Sequence, residues 1–199
     1  GPLGPYGVMY ASQLKHEEAH VQIIRILKDE PRNPKFLALL AELSMNTGRY
    51  RDALGQYDKA LKYLPDFDAA IGGKAETYLR MGKPKQALRV LKAAGAAVDK
   101  LNQPSTSKTM ADAFIRTGQE KEAITLLEHM LPLDSKIPLE QQRALLFSHA
   151  TAFMKLERFD EAFEAFINAN GLVAGRWTPD REIERHEHAR STVTRQRLE

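Results

Sequence analysis

The sequence predicts an all-α chain, a stack of helix-turn-helix units forming an α-solenoid. Three observations predict it. The first is a ladder of alanines: Ala19, Ala53, Ala87, Ala123 and Ala162 step by 34, 34, 36 and 39 residues. Each is followed four residues on by a large apolar residue: Ile23, Tyr57, Leu91, Leu127 and Phe166. The second is a companion column twelve residues before the later alanines, at Ala41, Ala75, Ala111 and Ala150, with Ser44, Tyr78, Phe114 and Phe153 three residues further on. The third is the punctuation. Gly48 and Gly82 are 34 apart, as are Pro31 and Pro65, and Gly118 follows 36 after Gly82. Several columns kept in one register mark a repeat architecture, and spacings of three and four are helical.

Composition narrows the classes. The 199 residues are 43% hydrophobic and 28% charged, an ordinary globular balance that argues against disorder. No stretch approaches the roughly 20 apolar residues of a membrane-spanning helix. The absence of cysteine removes disulfides, thiolate metal sites and thiol nucleophiles. A formal charge of +3 is too small to imply a nucleic-acid partner.

Taken in order, residues 1–5 read as a cloning scar, because Gly1-Pro2-Leu3-Gly4 is the kind of remnant a tag-removing protease leaves. No charged-then-apolar signal segment follows, which points to the cytoplasm. The periplasm stays open if the native N-terminus was cut away. The array spans residues 6–175. Its units are 6–33, the trailing half of a unit, then 34–67, 68–103, 104–142 and 143–175. Each complete unit has a helix A, a turn and a helix B. Glycine at 48, 82 and 118 supplies the positive φ that closes a helix. Glu157 stands at that place in the last unit, at some cost in backbone strain. The column alanines let helices A and B approach, so Ala53→Leu should overpack the contact. A third column, Ala60, Ala94, Met130 and Ala169, keeps the same register.

Two irregularities interrupt the period. Between Ala94 and Ser105 the register slips by two residues, and helix B of the third unit is expected to run long until Pro104. Between Leu131 and Leu139 three more residues enter, with Pro132 and Pro138, and a surface loop is expected. Residues 176–199 are expected to form a capping or connector helix. It starts at Thr178-Pro179-Asp180 and runs to about Gln196, with a thin apolar face of Ile183, Ala189 and Val193.

One literal enzyme motif is present. His16-Glu17-Glu18-Ala19-His20 puts two histidines four apart on a helix with a glutamate between, the arrangement of a zinc hydrolase. The repeat register opposes it, because Ala19 is a core column residue and Glu42, the nearest third ligand, faces elsewhere. His186 and His188 diverge around a helix, and Glu184 with His188 makes only two ligands. Gly72-Gly73-Lys74 lacks the earlier glycine of a phosphate loop, and Ala75 follows the lysine where Ser or Thr is needed. No cofactor, metal centre or catalytic residue is expected, and the chain reads as a non-enzyme.

The segment from Leu37 to Pro65, LALLAELSMNTGRYRDALGQYDKALKYLP, closely resembles the tetratricopeptide repeat family, as does Leu156-Glu-Arg-Phe-Asp-Glu-Ala-Phe-Glu-Ala-Phe166. The likeness extends over residues 10 to 174. It implies a superhelix whose concave groove is lined by helix A and receives a protein or peptide ligand. On this chain the lining would be Lys35, Ala38, Glu42, Met45 and Asn46; Ala69, Gly72, Glu76, Leu79 and Arg80; Ser105, Lys108, Asp112, Ile115 and Arg116; and Ala144, Phe147, Thr151, Met154 and Lys155. Glu42, Glu76 and Asp112 would form an acidic row, with Arg80, Arg116 and Lys155 a basic row one turn along. Internal pairing of Glu76 with Arg80 and of Asp112 with Arg116 is the competing reading. Chaperone-binding members of the family clamp a terminal carboxylate with Lys and Asn. Here Ala38, Glu42, Ser105 and Thr109 occupy those places, so an acidic chaperone tail is not the expected ligand. Residues 158–172 and 177–180 are also similar to the last repeat and connector of bacterial sulfotransferases linked to such arrays. On that likeness the chain would be the recognition or scaffold arm of a larger enzyme. Self-association would follow if the truncated first unit left an apolar end uncovered.

Overall fold

The computed structural model describes residues 5–94, 104–131 and 137–172, with side chains from Lys15 onward except that of His16. The elements among them are all helices: α1 (Pro5–Asp29), α2 (Pro34–Asn46), α3 (Tyr50–Tyr63), α4 (Asp68–Arg80), α5 (Pro84–Ala94), α6 (Pro104–Arg116), α7 (Glu120–Met130), α8 (Leu139–Lys155) and α9 (Phe159–Gly171). They fall into two compact bodies, Gly1–Ala113 and Phe114–Glu199.

Local chemistry sets the boundaries. Asn33 caps α2 by accepting the Lys35 N–H at 3.0 Å, and Pro34 opens the helix where its missing N–H costs nothing. At each A-to-B turn a residue takes positive φ: Gly48 at 77°, Gly82 at 70°, Gly118 at 76° and Glu157 at 59°. The next residue then donates its N–H to a carbonyl five positions back. Arg49 reaches Ser44 at 2.8 Å, Lys83 reaches Tyr78 at 2.9 Å, Gln119 reaches Phe114 at 2.9 Å and Arg158 reaches Phe153 at 3.0 Å. This closure satisfies helix-terminal carbonyls at each of the four turns. Glu157 is the one non-glycine among the described residues that bears the strain of this conformation.

The alanine columns are the closest contacts. Ala41, Ala53, Ala60, Ala75, Ala87, Ala111, Ala123, Ala150, Ala162 and Ala169 are fully buried. The large column residues Tyr57, Leu91 and Leu127 are buried beside them, and Phe166 is half-buried. Full burial of one such leucine contributes about 2 to 3 kcal/mol. In the first body Leu37, Ala38, Ala41, Met45, Ala53, Tyr57, Ala60 and Ala70 make one cluster, onto which Leu27 of α1 packs.

The first column departs from the pattern. Ala19 is only half-buried, on the single continuous helix α1. Its apolar residues Val21, Ile24 and Ile26 are correspondingly exposed. The α5 helix ends at Ala94, so the expected long extension to Pro104 lies outside the described residues. So do most of the loop expected between Leu131 and Leu139, the initial scar through Gly4, and the helix expected within 176–199.

Candidate functional site

In the first body α2, α4 and α6 lie side by side and present one face. On α2 the residues Lys35, Leu39, Glu42 and Asn46 are separated by four, three and four positions, which is one helical face, and all four are exposed. The same register on α4 gives Ala69, Gly73, Glu76 and Arg80. On α6 it gives Ser105, Thr109 and Asp112 before the chain passes into the second body. Side chains tie the helices together. Arg80 donates through Nη1 to Asn46 Oδ1 on α2 at 3.1 Å and through Nε to Glu76 Oε1 at 3.1 Å. A Cβ placed on Gly72 would meet Thr106 Oγ1 at 3.0 Å, so α6 approaches α4 closely there. Lys74 and Asp58 form an ion pair at 2.6 Å between α4 and α3.

Tyr57 reaches this face from α3. The residue is only 2% exposed, and its phenol ends against Gly73, on the same α4 face as Glu76. Burial raises the phenol far above its ordinary value. Glu42 adds to the rise, Arg80 opposes it and Glu76 adds again, so all three charges lie within electrostatic reach of the ring. The hydroxyl therefore stays protonated. It makes no hydrogen bond among the described residues.

The sequence-predicted site residues divide into three groups. Lys35, Glu42, Asn46, Glu76, Arg80, Lys108 and Asp112 share the face of the first body. Within it Glu42 is exposed and has no ion pair among the described residues, whereas Glu76 is held by Arg80 and Asp112 by Lys108 at 2.6 Å. The pairing expected of Glu76 with Arg80 is present. Asp112 takes a cation from the turn before it, Lys108, a partner that the sequence reading did not consider. Met45 and Leu79 do not line the surface. They are 6% and 3% exposed, and Met45 packs into the cluster with Tyr57 and Ala53. Each stands one residue before a face residue, a rotation of about 100° that carries the side chain toward the hairpin interior. Ala38 and Ile115 are buried as well, and so is Thr109.

The third group belongs to the second body. Arg116, Thr151 and Lys155 are exposed, and Thr151 donates its hydroxyl to the Phe147 carbonyl at 2.7 Å. Phe147 is half-buried, with Phe166 at 5.9 Å between ring centroids and the Arg143 guanidinium 5.4 Å above its ring. On the same helix His149 packs at a tilt of 45° against Phe153, 4.3 Å between ring centroids. Its Nε2 is buried without a partner among the described residues. Burial lowers the imidazole below its ordinary value, Glu128 pulls it up and Arg158 pushes it down.

His16 lies outside the described side chains, Glu17 is exposed and His20 half-buried on α1. Among the described residues no three His, Asp or Glu side chains are grouped to hold a metal ion. Glu184, His186 and His188 lie outside the described residues.

Sequence reasoning missed Leu39 and the Tyr57 hydroxyl. One signal was available. Tyr57 carries the only hydroxyl in its column, and Gly73 stands 34 residues after Leu39, in the same register position.

Comparison with known proteins bears on the fold. Residues 47–104 match the tetratricopeptide repeat family model. No curated protein matches the chain. Among solved structures, TTC0263, a thermophilic TPR protein in Thermus thermophilus, is 21% identical with a TM-score of 0.68, covering 86% of this chain and 89% of that one. A MamA fragment from Desulfovibrio magneticus RS-1 is 20% identical with a TM-score of 0.63, covering 89% of this chain and 100% of that one. PilF of Pseudomonas aeruginosa is 16% identical with a TM-score of 0.66, covering 88% of this chain and 76% of that one. At these identities the likeness is one of fold. Residues 47–104 are thus similar to the tetratricopeptide repeat family, and the fold is the all-α one of tetratricopeptide-repeat proteins.

Proposed function

We propose that this chain is a protein-interaction module without catalysis, and that its partner lies as a peptide or helix along the α2/α4/α6 face. One observation carries the reading. Three adjacent helices align charged and polar residues in register, and the neighbouring positions Ala38, Met45 and Leu79 are buried. Polar side chains aligned across helices suit recognition of an extended or helical ligand. No helix among the described residues is long and apolar enough to cross a membrane, so membrane insertion is not part of the proposal.

Self-association through the N-terminal end is a second role. The exposed Val21, Ile24 and Ile26 of α1 support it, and light scattering across a dilution series tests it. Service as the recognition arm of a larger enzyme, such as a sulfotransferase, would use the same face. Its support is the sequence likeness over residues 158–172 and 177–180.

The test is a lysate pull-down read by mass spectrometry, comparing the wild type with Glu42→Lys/Glu76→Lys/Asp112→Lys, after circular dichroism has shown that the variant folds. A partner lost only in the variant supports the face as the working site. An unchanged partner list moves the function to another surface.

A further inference from the structure

On the α2/α4 face two carboxylates, Glu42 and Glu76, stand among two cations, Lys35 and Arg80, but only Glu76 is ion-paired among the described residues. Arg80 is used twice within the protein, on Glu76 and on Asn46. Glu42 is left exposed without a cation among the described residues. Next to it, Leu39 holds 45% of its surface in solvent, one turn earlier on the same helix face. The register position beside Leu39 on α4 is Gly73, which has no side chain and is where the Tyr57 phenol ends. That hydroxyl belongs to a side chain buried almost to its tip, and no group among the described residues bonds it. The surface offers an acid without an ion pair, an exposed leucine one turn from it, and the Tyr57 hydroxyl, on which the Glu42 charge acts.

We infer that the surface formed by Leu39, Glu42, Tyr57, Gly73 and Glu76 receives a Lys or Arg side chain of the partner segment, with an apolar residue of the same segment packed on Leu39 and a backbone carbonyl of it accepting from the Tyr57 hydroxyl. The cation supplies the charge that Glu42 lacks, and Glu76 is already shared with Arg80. The apolar neighbour removes Leu39 from water. Because the phenol stays neutral at physiological pH, it serves as a donor to the backbone whatever side chains the partner carries. An acidic segment would meet two carboxylates and is disfavoured. This inference rests on the reading that the α2/α4/α6 face is the working surface.

The experiment is selection of a phage-displayed library of random dodecapeptides on the purified protein, followed by affinity measurement of the enriched peptides against the wild type, Glu42→Gln, Glu42→Lys and Tyr57→Phe. Tyr57→Phe keeps the packing and removes only the hydroxyl. The expected result is enrichment of peptides with Lys or Arg beside Leu, Ile, Met or Phe. Their binding should weaken about tenfold in Glu42→Gln and about fivefold in Tyr57→Phe. Replacing the peptide's basic residue with Glu should abolish binding to the wild type and restore part of it in Glu42→Lys. If the enriched peptides are acidic or uncharged and still lose binding in Glu42→Lys, the inference fails and the working surface stands. If no peptide is enriched, or if binding ignores all three variants, the surface reading fails with it.

Discussion

Gly73 and Tyr57 occupy adjoining space: a Cβ on Gly73 would lie 2.7 Å from Tyr57 Cε1 and closer still to the phenol oxygen. A helical glycine normally costs stability relative to alanine, so its presence in α4 needs a compensating contact. The contact is the buried ring of Tyr57, which extends across the α3–α4 interface to the surface beside Glu76.

Gly73→Ala should therefore destabilise the protein by about 1 to 3 kcal/mol in denaturant unfolding, because the clash outweighs the gain in helix propensity. Gly55→Ala should do the reverse and stabilise α3 by up to about 1 kcal/mol, since a Cβ there meets nothing within 4 Å. Tyr57→Leu should relieve the clash, so the cost of Gly73→Ala should be smaller in that background.

Glu157 sits at φ 59° where the other turns have glycine. Glu157→Gly should raise the thermal midpoint, with a net gain of about 1 kcal/mol after the extra entropy of the unfolded chain is counted. Gly82→Ala should cost about 1 kcal/mol by introducing that strain where it is absent. Equal midpoints for wild type and Glu157→Gly would show that contacts of the glutamate offset its backbone cost.

His149 should make the second body acid-sensitive. Its folded pKa lies below the ordinary 6.5 because burial disfavours the imidazolium. Between those two values the unfolded chain binds a proton that the folded one does not, so stability rises with pH there. The contribution is fully present above pH 6.5 and is lost as the pH falls from 6.5 through the folded pKa. Thermal midpoints at about pH 7.5 and about pH 5 should differ more in the wild type than in His149→Gln. The same difference in both would assign the acid sensitivity to other groups.

Zinc should leave the thermal midpoint unchanged, since Glu17 is exposed and no third ligand is grouped with it and His20 among the described residues. A zinc-dependent rise that disappears in His20→Ala would reinstate a metal site on α1.

Much of the fold is legible without coordinates. The alanine ladder marks the close helix contacts, and Ala53, Ala87, Ala123 and Ala162 are all fully buried. The strained turn at Glu157 is legible from a missing glycine. The surface is less so. Family register assigns Met45 and Leu79 to it, yet a shift of one residue turns a side chain by about 100° and decides between groove and core. Leu39 escapes the sequence because it stands among Leu37, Leu40 and Leu43 on α2 and reads as core until its exposure is known.

By itself the sequence determined the repeat period, the turns between paired helices and the small-residue contacts, because these depend on local spacing and on the size of single side chains. Only the tertiary structure decided that Arg80 would bridge Asn46 and Glu76, that Glu42 would remain without a cation among the described residues, and that Tyr57 would emerge beside Gly73. These relations join residues from different helices. They depend on the distance and rotation at which the helices pack, which no single helix encodes.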